Sequence, residues 1–140
     1  FVAIYEPSSV KEPGCITEVS FPEVKSKTEN SATGICVVQK NGRTDYILSS
    51  DNPTDICTSG KMSAQATYAL WGNKKGDDCT FFLGTLLSTP NVVIKTETPT
   101  DVLLEFKKGA WYYTASTDCT ISIKKKTYKL KANMEEKILK

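Results

Sequence analysis

VVIKTETPTDVLLEFKKGAWYYTASTDCTISIKKKTYKL, residues 92–130, is the stretch that decides the predicted fold. Val102, Leu104 and Phe106 stand at every second position, and Trp111 and Tyr113 repeat the pattern further along. Apolar residues two apart, rich in β-branched and aromatic types, are typical of half-buried antiparallel strands. The short Gly-containing segment 107–110 separates two such runs, so the stretch predicts a β-hairpin.

The rest of the chain repeats this organisation of short strands and turns. Asn41-Gly42 lies between two strand-like runs, and this dipeptide favours a tight hairpin turn because both of its residues tolerate positive φ. The run 79–87 is almost wholly apolar, which predicts a strand that is buried on both faces or lies at the centre of a sheet, and Gly84 within it indicates a bulge. About ten strands follow one another without βαβ alternation. We therefore predict one all-β domain over residues 1–140, an antiparallel β-sandwich of jelly-roll or immunoglobulin-like type.

The two ends of the chain carry separate expectations. Residues 1–5 (FVAIY) predict a first strand that ends before Pro7. Residues 131–140 (KANMEEKILK) are good helix formers and predict a short C-terminal helix or a tether. No run of 18 apolar residues is present, so no transmembrane segment is predicted.

The charged residues exclude several function classes. The 140 residues include 17 Lys, one Arg (Arg43) and no His, with a net charge of +2. Ser-His-Asp and Cys-His catalysis both need an imidazole, so they are excluded. A single Arg and a small net charge argue against nucleic-acid binding, and no motif predicts a metal or cofactor. A hydrolase that uses carboxylates alone is the one enzyme class left open, and a non-enzymatic function is expected.

The five cysteines predict disulfides and an extracellular or cell-surface location. Cys15, Cys36, Cys57 and Cys79 follow at intervals of 21, 21 and 22 residues, with no CxxC pair. Widely spaced cysteines in a chain with 29 Ser and Thr residues favour an oxidising compartment. Sequential bridges, Cys15–Cys36 and Cys57–Cys79, are predicted. Cys119 is then left as a buried thiol or as an intermolecular link, for example in a homodimer.

Two groups of residues are candidates for binding. Trp111 and Tyr112 point to opposite faces of one strand, so one of them is expected outside, where it could stack on a sugar ring or anchor a protein. The alternative is that both belong to the core. The basic run Lys124, Lys125 and Lys126 could meet an acidic partner, or it could protect an edge strand from aggregation.

The early cysteine intervals, the run 87–94 (LSTPNVVI) and the later Gly109 resemble a CUB-type jelly roll. That resemblance implies a disulfide-bearing extracellular β-sandwich. The cysteine intervals depart from that family and its acidic calcium-site pattern is absent, so no residue role is carried over. The main hypothesis is a secreted or cell-surface adhesion module that recognises another macromolecule. A carbohydrate-binding module that uses exposed aromatic residues is the second hypothesis.

Overall fold

The computed structural model describes residues 14–29, 31–74, 76–124 and 126–138. In these residues, twelve strands pair antiparallel in one connected sheet, so the all-β antiparallel prediction is confirmed. The strand predicted for residues 1–5 lies outside the described residues. The strands are β1 (Ile16–Ser20), β2 (Ala32–Gln39), β3 (Thr44–Ser50), β4 (Cys57–Ser59), β5 (Met62–Gln65), β6 (Tyr68–Asn73), β7 (Asp77–Ser88), β8 (Val92–Lys107), β9 (Ala110–Ala115), β10 (Cys119–Ile123), β11 (Lys126–Leu130) and β12 (Asn133–Ile138).

The long hairpin of β7 and β8 organises the sheet, because each of its two strands pairs with one further strand near its start and with another near its end. The first half of β7 pairs with β6 and its last residues pair with β5. The first half of β8 pairs with β10 and its second half pairs with β9. The β7–β8 ladder shifts register on both sides of Gly84, which confirms the predicted bulge. One hairpin therefore belongs to two sections of the sheet.

We call these the eight-strand section and the six-strand section. The eight-strand section has the order β1-β2-β3-β6-β7-β8-β9-β12, and the six-strand section has the order β4-β5-β7-β8-β10-β11. Both sections supply the same hydrophobic core: Phe81 and Leu104 come from the first, and Leu87 and Ile121 from the second. All four side chains are fully buried, so each section turns one face inward.

The two predicted hairpin turns are confirmed by their backbone conformations. Gly42 has φ of +80° between β2 and β3, which pair across the turn. Lys108 and Gly109 both have positive φ, +52° and +81°, between β8 and β9. Two successive residues with positive φ match the right-handed twist of the flanking strands. The sequence therefore predicted the positions of both turns, but at the first one only Gly42, and not Asn41, takes the positive φ that was expected of both residues.

The predicted C-terminal helix is wrong. Residues Asn133–Ile138 form β12, which pairs with β9 at the edge of the eight-strand section. Helix propensity is a weak preference of tenths of a kcal/mol per residue, and a short isolated helix is marginal in water. Pairing with an open strand edge satisfies the backbone instead, and tertiary pairing therefore outweighs propensity here.

Candidate functional site

The outer face of the eight-strand section is largely apolar. One row of cross-strand partners runs across it. Ile35 lies opposite Ile47 and Ile47 opposite Leu70, and the row continues through Thr80 to Leu103. Their chain neighbours, among them Leu48, Ala69 and Phe81, are buried, so the row itself points away from the core. A second row adds Tyr68 and Phe82, whose ring centroids lie 5.8 Å apart. We call Ile35, Ile47, Tyr68, Leu70, Phe82 and Leu103 the apolar face.

Part of the apolar face is open to solvent. Phe82 is 48% exposed, Leu103 is 37% exposed, and the adjoining Leu83 is 58% exposed. Leu83 has φ of +48°, a conformation that costs a side chain such as leucine about 1–2 kcal/mol. The Leu83 N–H donates to the carboxylate of Asp101 at 2.9 Å, which holds this conformation in place. The fold thus maintains a strained backbone at the point where two large apolar side chains meet water.

Of the two alternatives predicted for residues 79–87, burial on both faces is wrong at this point. Phe81 is fully buried on the inner face, but Phe82 and Leu83 are exposed. β7 is central, as predicted, since β6 and β8 flank it. The unbroken apolar run predicts double burial, whereas in the fold it marks one buried face and one apolar outer face.

A polar network borders the apolar face along the next row of the sheet. Arg43 donates to Asp45 at 2.6 Å and to Asp78 at 2.7 Å, and it lies over Gly72, which pairs with both aspartates. Gln39 donates its side-chain amide to the other oxygen of Asp45 at 2.8 Å. The single arginine of the chain is therefore committed to two carboxylates.

The outer face of the six-strand section has a different chemistry. Its central row carries hydroxyl groups on five of six strands, and Val93 is the exception. Thr58 bonds to Ser63 at 2.9 Å, and Ser122 bonds to Thr127 at 3.0 Å. The two outer faces are thus distinct, one apolar and one hydroxyl-rich.

A small cleft opens at one end of the molecule, between the two sections. It encloses about 340 Å³, and Trp111, Phe106 and Asp77 line it from the eight-strand section. Asn91, Ile123 and Lys124 line it from the six-strand side, and Asn73, Lys74 and Gly76 complete the lining. We call this cavity the end cleft.

The carboxylate of Asp77 forms the polar floor of the end cleft. Asp77 is only 7% exposed. It accepts hydrogen bonds from the indole N–H of Trp71 at 2.8 Å and from the side-chain amide of Asn91 at 2.9 Å. Because a buried charge is costly unless it is hydrogen-bonded, these two donors stabilise the carboxylate. They also join the two sections at the floor of the cleft.

The structure separates the predicted aromatic candidates. Trp111 is partly buried, packs against Phe106 with ring centroids 5.1 Å apart, and lines the end cleft. Tyr112 points to the opposite face, where the ammonium of Lys107 lies 5.0 Å from its ring. The two residues lie on opposite faces, as their alternation along the strand predicted, so they do not form one site.

The predicted basic run is divided among different places. Lys124 lines the end cleft, and the ammonium of Lys126 lies 5.0 Å from the ring of Tyr128 on β11. Lys125 lies outside the described residues. The two described members of the run, Lys124 and Lys126, are both exposed and contact different parts of the structure.

A wider groove of about 630 Å³ lies beside β10 on the six-strand section. Lys95 and Lys129 flank Thr120 there on neighbouring strands. Lys131 pairs with Asp118 at 2.6 Å, and this hydrogen bond lowers the pKa of the Asp118 carboxyl. Asp118 is therefore suited to the ionised state rather than to donating a proton.

The predicted disulfides Cys15–Cys36 and Cys57–Cys79 are not formed. Cys36, Cys57, Cys79 and Cys119 are thiols, and the last three are buried. Burial raises the pKa of Cys119 to about 11 and the pKa of Cys79 well above its usual range. Thiols of this kind are chemically inert in the folded chain, because the reactive form is the thiolate. Cys119 is thus a buried thiol rather than an exposed linkage point.

The register of β1 and β2 explains why the first pair is not bridged. The backbone carbonyl of Cys15 accepts from Lys40, whereas Cys36 lies opposite Ser20. Cys36 and Lys40 are four residues apart along the chain, which is roughly 13 Å in an extended strand. A disulfide needs Cα atoms within about 7 Å, so the ladder keeps Cys15 and Cys36 too far apart.

No family model, no curated protein and no solved structure matches this chain. Across the described ranges, no helix is long and apolar enough to cross a membrane. The same residues contain no group of three His, Cys, Asp or Glu side chains placed to hold a metal ion.

Sequence reasoning missed the apolar face and the floor of the end cleft. The signal for the apolar face was present in runs such as ICVV at 35–38, where strict alternation fails. Such a run is compatible with a strand that is buried on both faces or with a strand that has one buried face and one apolar outer face. Whether another part of the protein covers the outer face decides between them. Asp77 and Asn91 carried no sequence signal, because their contact joins two distant turns.

Proposed function

We propose that this chain is a secreted or cell-surface binding module, without catalytic activity, that docks a protein partner on its apolar face. The observation that carries this proposal is the apolar face itself, on which Phe82 and Leu103 are open to solvent next to the strained Leu83. Contiguous apolar patches on a protein surface mark interaction sites. Large aromatic side chains such as Phe82 dominate the energetics of protein interfaces, and apolar neighbours such as Leu103 exclude water around them.

The chemistry of the apolar face specifies the partner. The row from Ile35 to Thr114 contains no charged residue, and the adjacent pair Tyr68 and Phe82 adds none. Charges flank this row: Arg43, Asp45 and Asp78 are paired with one another, Glu105 pairs with Lys107, and Asp101 accepts from the Leu83 N–H. We therefore expect a protein that presents an apolar, uncharged patch. A polyanion would gain nothing from this surface.

We also infer that the two sections pack face to face as a β-sandwich. This inference is supported by the single core to which both sections contribute and by the shift of neighbours along β7 and β8. The extracellular location now rests on the Ser- and Thr-rich composition alone, since the cysteines do not supply the predicted bridges.

The test compares Leu103→Lys with Val93→Lys. Both residues point outward from β8, one on the apolar face and one on the hydroxyl-rich face. Proteins that the wild-type chain retains from extracellular fluid are purified and titrated against all three chains by calorimetry. Loss of a central interface anchor costs about 2 kcal/mol or more, so Leu103→Lys should weaken binding at least about 30-fold. Val93→Lys should change it less than about twofold.

Two results would overturn the proposal of a separate protein partner. One is an equal loss of affinity in Leu103→Lys and Val93→Lys, which would place the binding surface elsewhere. The other is dimerisation of the wild-type chain in sedimentation equilibrium that Leu103→Lys abolishes. In that case the occupant of the apolar face is a second copy of this chain, the homodimer that the sequence left open.

Carbohydrate binding is a second candidate function, and the end cleft favours it. Trp111 lies there beside the amide side chains of Asn73 and Asn91. Ligand sites combine apolar or aromatic walls with a few fixed polar groups. The carboxylate-only hydrolase gains no support, because Asp77, the carboxylate described in this cleft, already accepts two hydrogen bonds.

A further inference from the structure

We infer that the end cleft takes one acidic sugar ring, a uronic acid or sulfated residue, whose ring packs on Trp111 and whose anionic group meets Lys74 and Lys124. This inference rests on the second candidate function, carbohydrate binding, and names the ligand class for that cleft. Its support comes from the floor, the aromatic wall, the cations and the volume of the cleft.

The floor of the cleft fixes the groups that a sugar hydroxyl would meet. One N–H of the Asn91 amide donates to Asp77, which orients this side chain. The second N–H and the carbonyl oxygen of the same amide form no hydrogen bond to another described residue, and they are free to donate and accept. Asn73 is exposed at the same cleft, and its amide also has no described partner. Two amides that both donate and accept suit vicinal hydroxyl groups.

Among the described residues, no carboxylate forms an ion pair with the cations of the cleft. Lys74 and Lys124 are exposed, and no ion pair joins either of them to an acid within the described part of the chain. Asp77 is the acidic residue among the described lining, and both of its oxygens are occupied by uncharged donors. The described lining thus carries two cations and one buried carboxylate, which favours a ligand with a negative charge.

Lys124 holds its place at a conformational cost. It has φ of +55°, a region that glycine or asparagine occupies more easily. Its N–H donates to the carbonyl of Asn91 at 2.7 Å, so the turn positions this lysine next to the amide at the floor. Positive φ fits the hairpin turn between β10 and β11, and this turn fixes Lys124 at the end cleft.

The size of the cleft limits the ligand to about one ring. A volume of about 340 Å³ stands at the lower end of the roughly 300–1,000 Å³ that is typical of ligand sites. Trp111 and Phe106, whose ring planes are tilted by 58°, supply the aromatic wall, and Ile123 lines the cleft from the six-strand section. A longer saccharide would bind through one residue and leave the others in solvent.

The experiment is an NMR titration of the ¹⁵N-labelled chain with glucuronate, glucose and acetate at equal ionic strength. Glucuronate should shift the signals of Asn73, Asn91 and the Trp111 indole. Because a partly exposed ion pair contributes up to about 1 kcal/mol, it should bind about threefold to fivefold more tightly than glucose. Acetate should bind more weakly than either sugar.

Matched variants locate the binding. Trp111→Ala should abolish it, whereas Tyr112→Ala, on the opposite face of the same strand, should leave it unchanged. Lys124→Gln should remove the preference for glucuronate and keep glucose binding, whereas Lys129→Gln, outside the cleft, should have no effect. Lys124 is exposed, so Lys124→Gln reports on the site even where Trp111→Ala perturbs the fold.

The possible failures are distinguishable. Equal binding of glucose and glucuronate would overturn the acidic-sugar inference and leave the carbohydrate candidate intact. Acetate that binds as tightly as glucuronate would reduce the cleft to an anion site and overturn both. If none of the three probes shifts the cleft signals at about 10 mM, any binding is weaker than about 2.7 kcal/mol. That result would also overturn both the acidic-sugar inference and the carbohydrate candidate.

Discussion

Gly72→Ala is expected to destabilise the chain through Arg43 rather than through the backbone. A Cβ atom at Gly72 would stand 2.7 Å from Arg43 Cζ and 2.8 Å from Asp45 Oδ1, and it would overlap the Arg43 guanidinium nitrogen Nη2. Neither the main chain nor the core stands in the way. The guanidinium would therefore have to move, and its bonds to Asp45 and Asp78 would stretch or break.

The magnitude follows from the two ion pairs that Arg43 makes. Hydrogen bonds to charged groups contribute about 1.5–3 kcal/mol each when buried, and exposed ion pairs contribute about 0.2–1 kcal/mol. The side chains are 28% exposed for Arg43, 14% for Asp45 and 28% for Asp78, so the pairs lie between these limits. Their loss should cost about 2–3 kcal/mol in total. Alanine regains about 0.5–1 kcal/mol over glycine in a strand, which leaves a net loss of about 1–2 kcal/mol.

A double-mutant cycle with Arg43→Ala separates this mechanism from a general effect of alanine in β6. In the Arg43→Ala background the guanidinium is gone and the Asp45 side chain is released from it and can turn away, so Gly72→Ala should be neutral or stabilise by up to about 1 kcal/mol. The free energy of unfolding is measured by urea titration, with tryptophan fluorescence as the signal. If Gly72→Ala costs the same in both backgrounds, displacement of the Arg43 guanidinium is refuted as the cause of the destabilisation.

Three further predictions concern the turns, the thiols and one loop carboxylate. Gly109→Ala should lower the free energy of unfolding by about 1–2 kcal/mol in a urea titration, because φ is +81° and no atom lies near enough to cause another effect. A thiol reagent should label Cys36 in the folded chain, and the labelling should be faster above the usual thiol pH range because burial raises the pKa of Cys36. The same reagent should reach Cys79 only after unfolding, and prompt labelling of Cys79 would contradict the burial of this residue. Hydrogen bonds from Thr28 lower the pKa of Asp55, so its contribution is complete above the ordinary pKa of aspartate and is lost as the pH falls through the lowered value. Asp55→Asn should therefore reduce the loss of unfolding free energy between about pH 5 and pH 3, and an unchanged pH profile would exclude this role.

Local patterns in the sequence were sufficient for the parts of the fold that local conformation decides. Asn41-Gly42 and Lys108-Gly109 specify turns because positive φ is required there, and both turns form. The alternation of Val102 and Leu104 specifies an inner face, and both are buried. In these places the backbone chemistry and the position in the fold agree, so the sequence alone predicts the outcome.

Patterns that need knowledge of distant neighbours misled the prediction. The final residues favour a helix by propensity, but β9 offers an unpaired edge and β12 forms there. The spacing of Cys15 and Cys36 suggested a bridge, but the β1–β2 register holds them apart. Asp77 and Asn91 meet only because two turns converge at the end of the molecule. Each of these outcomes depends on long-range pairing, which no local window contains.

The two candidate sites share one structural cause, the interruption of the β7–β8 hairpin. Where the ladder shifts at Gly84, the strands change partners, and Leu83 takes up φ of +48° at the margin of the apolar face. The same change of partners places the ends of the two sections beside each other, where the turn at Lys124, also at positive φ, reaches Asn91. Stability alone would favour glycine or asparagine at both positions. Lys124, like Lys108, stands in a turn between two paired strands, where positive φ fits the hairpin, whereas Leu83 holds positive φ within β7, where its N–H donates to Asp101.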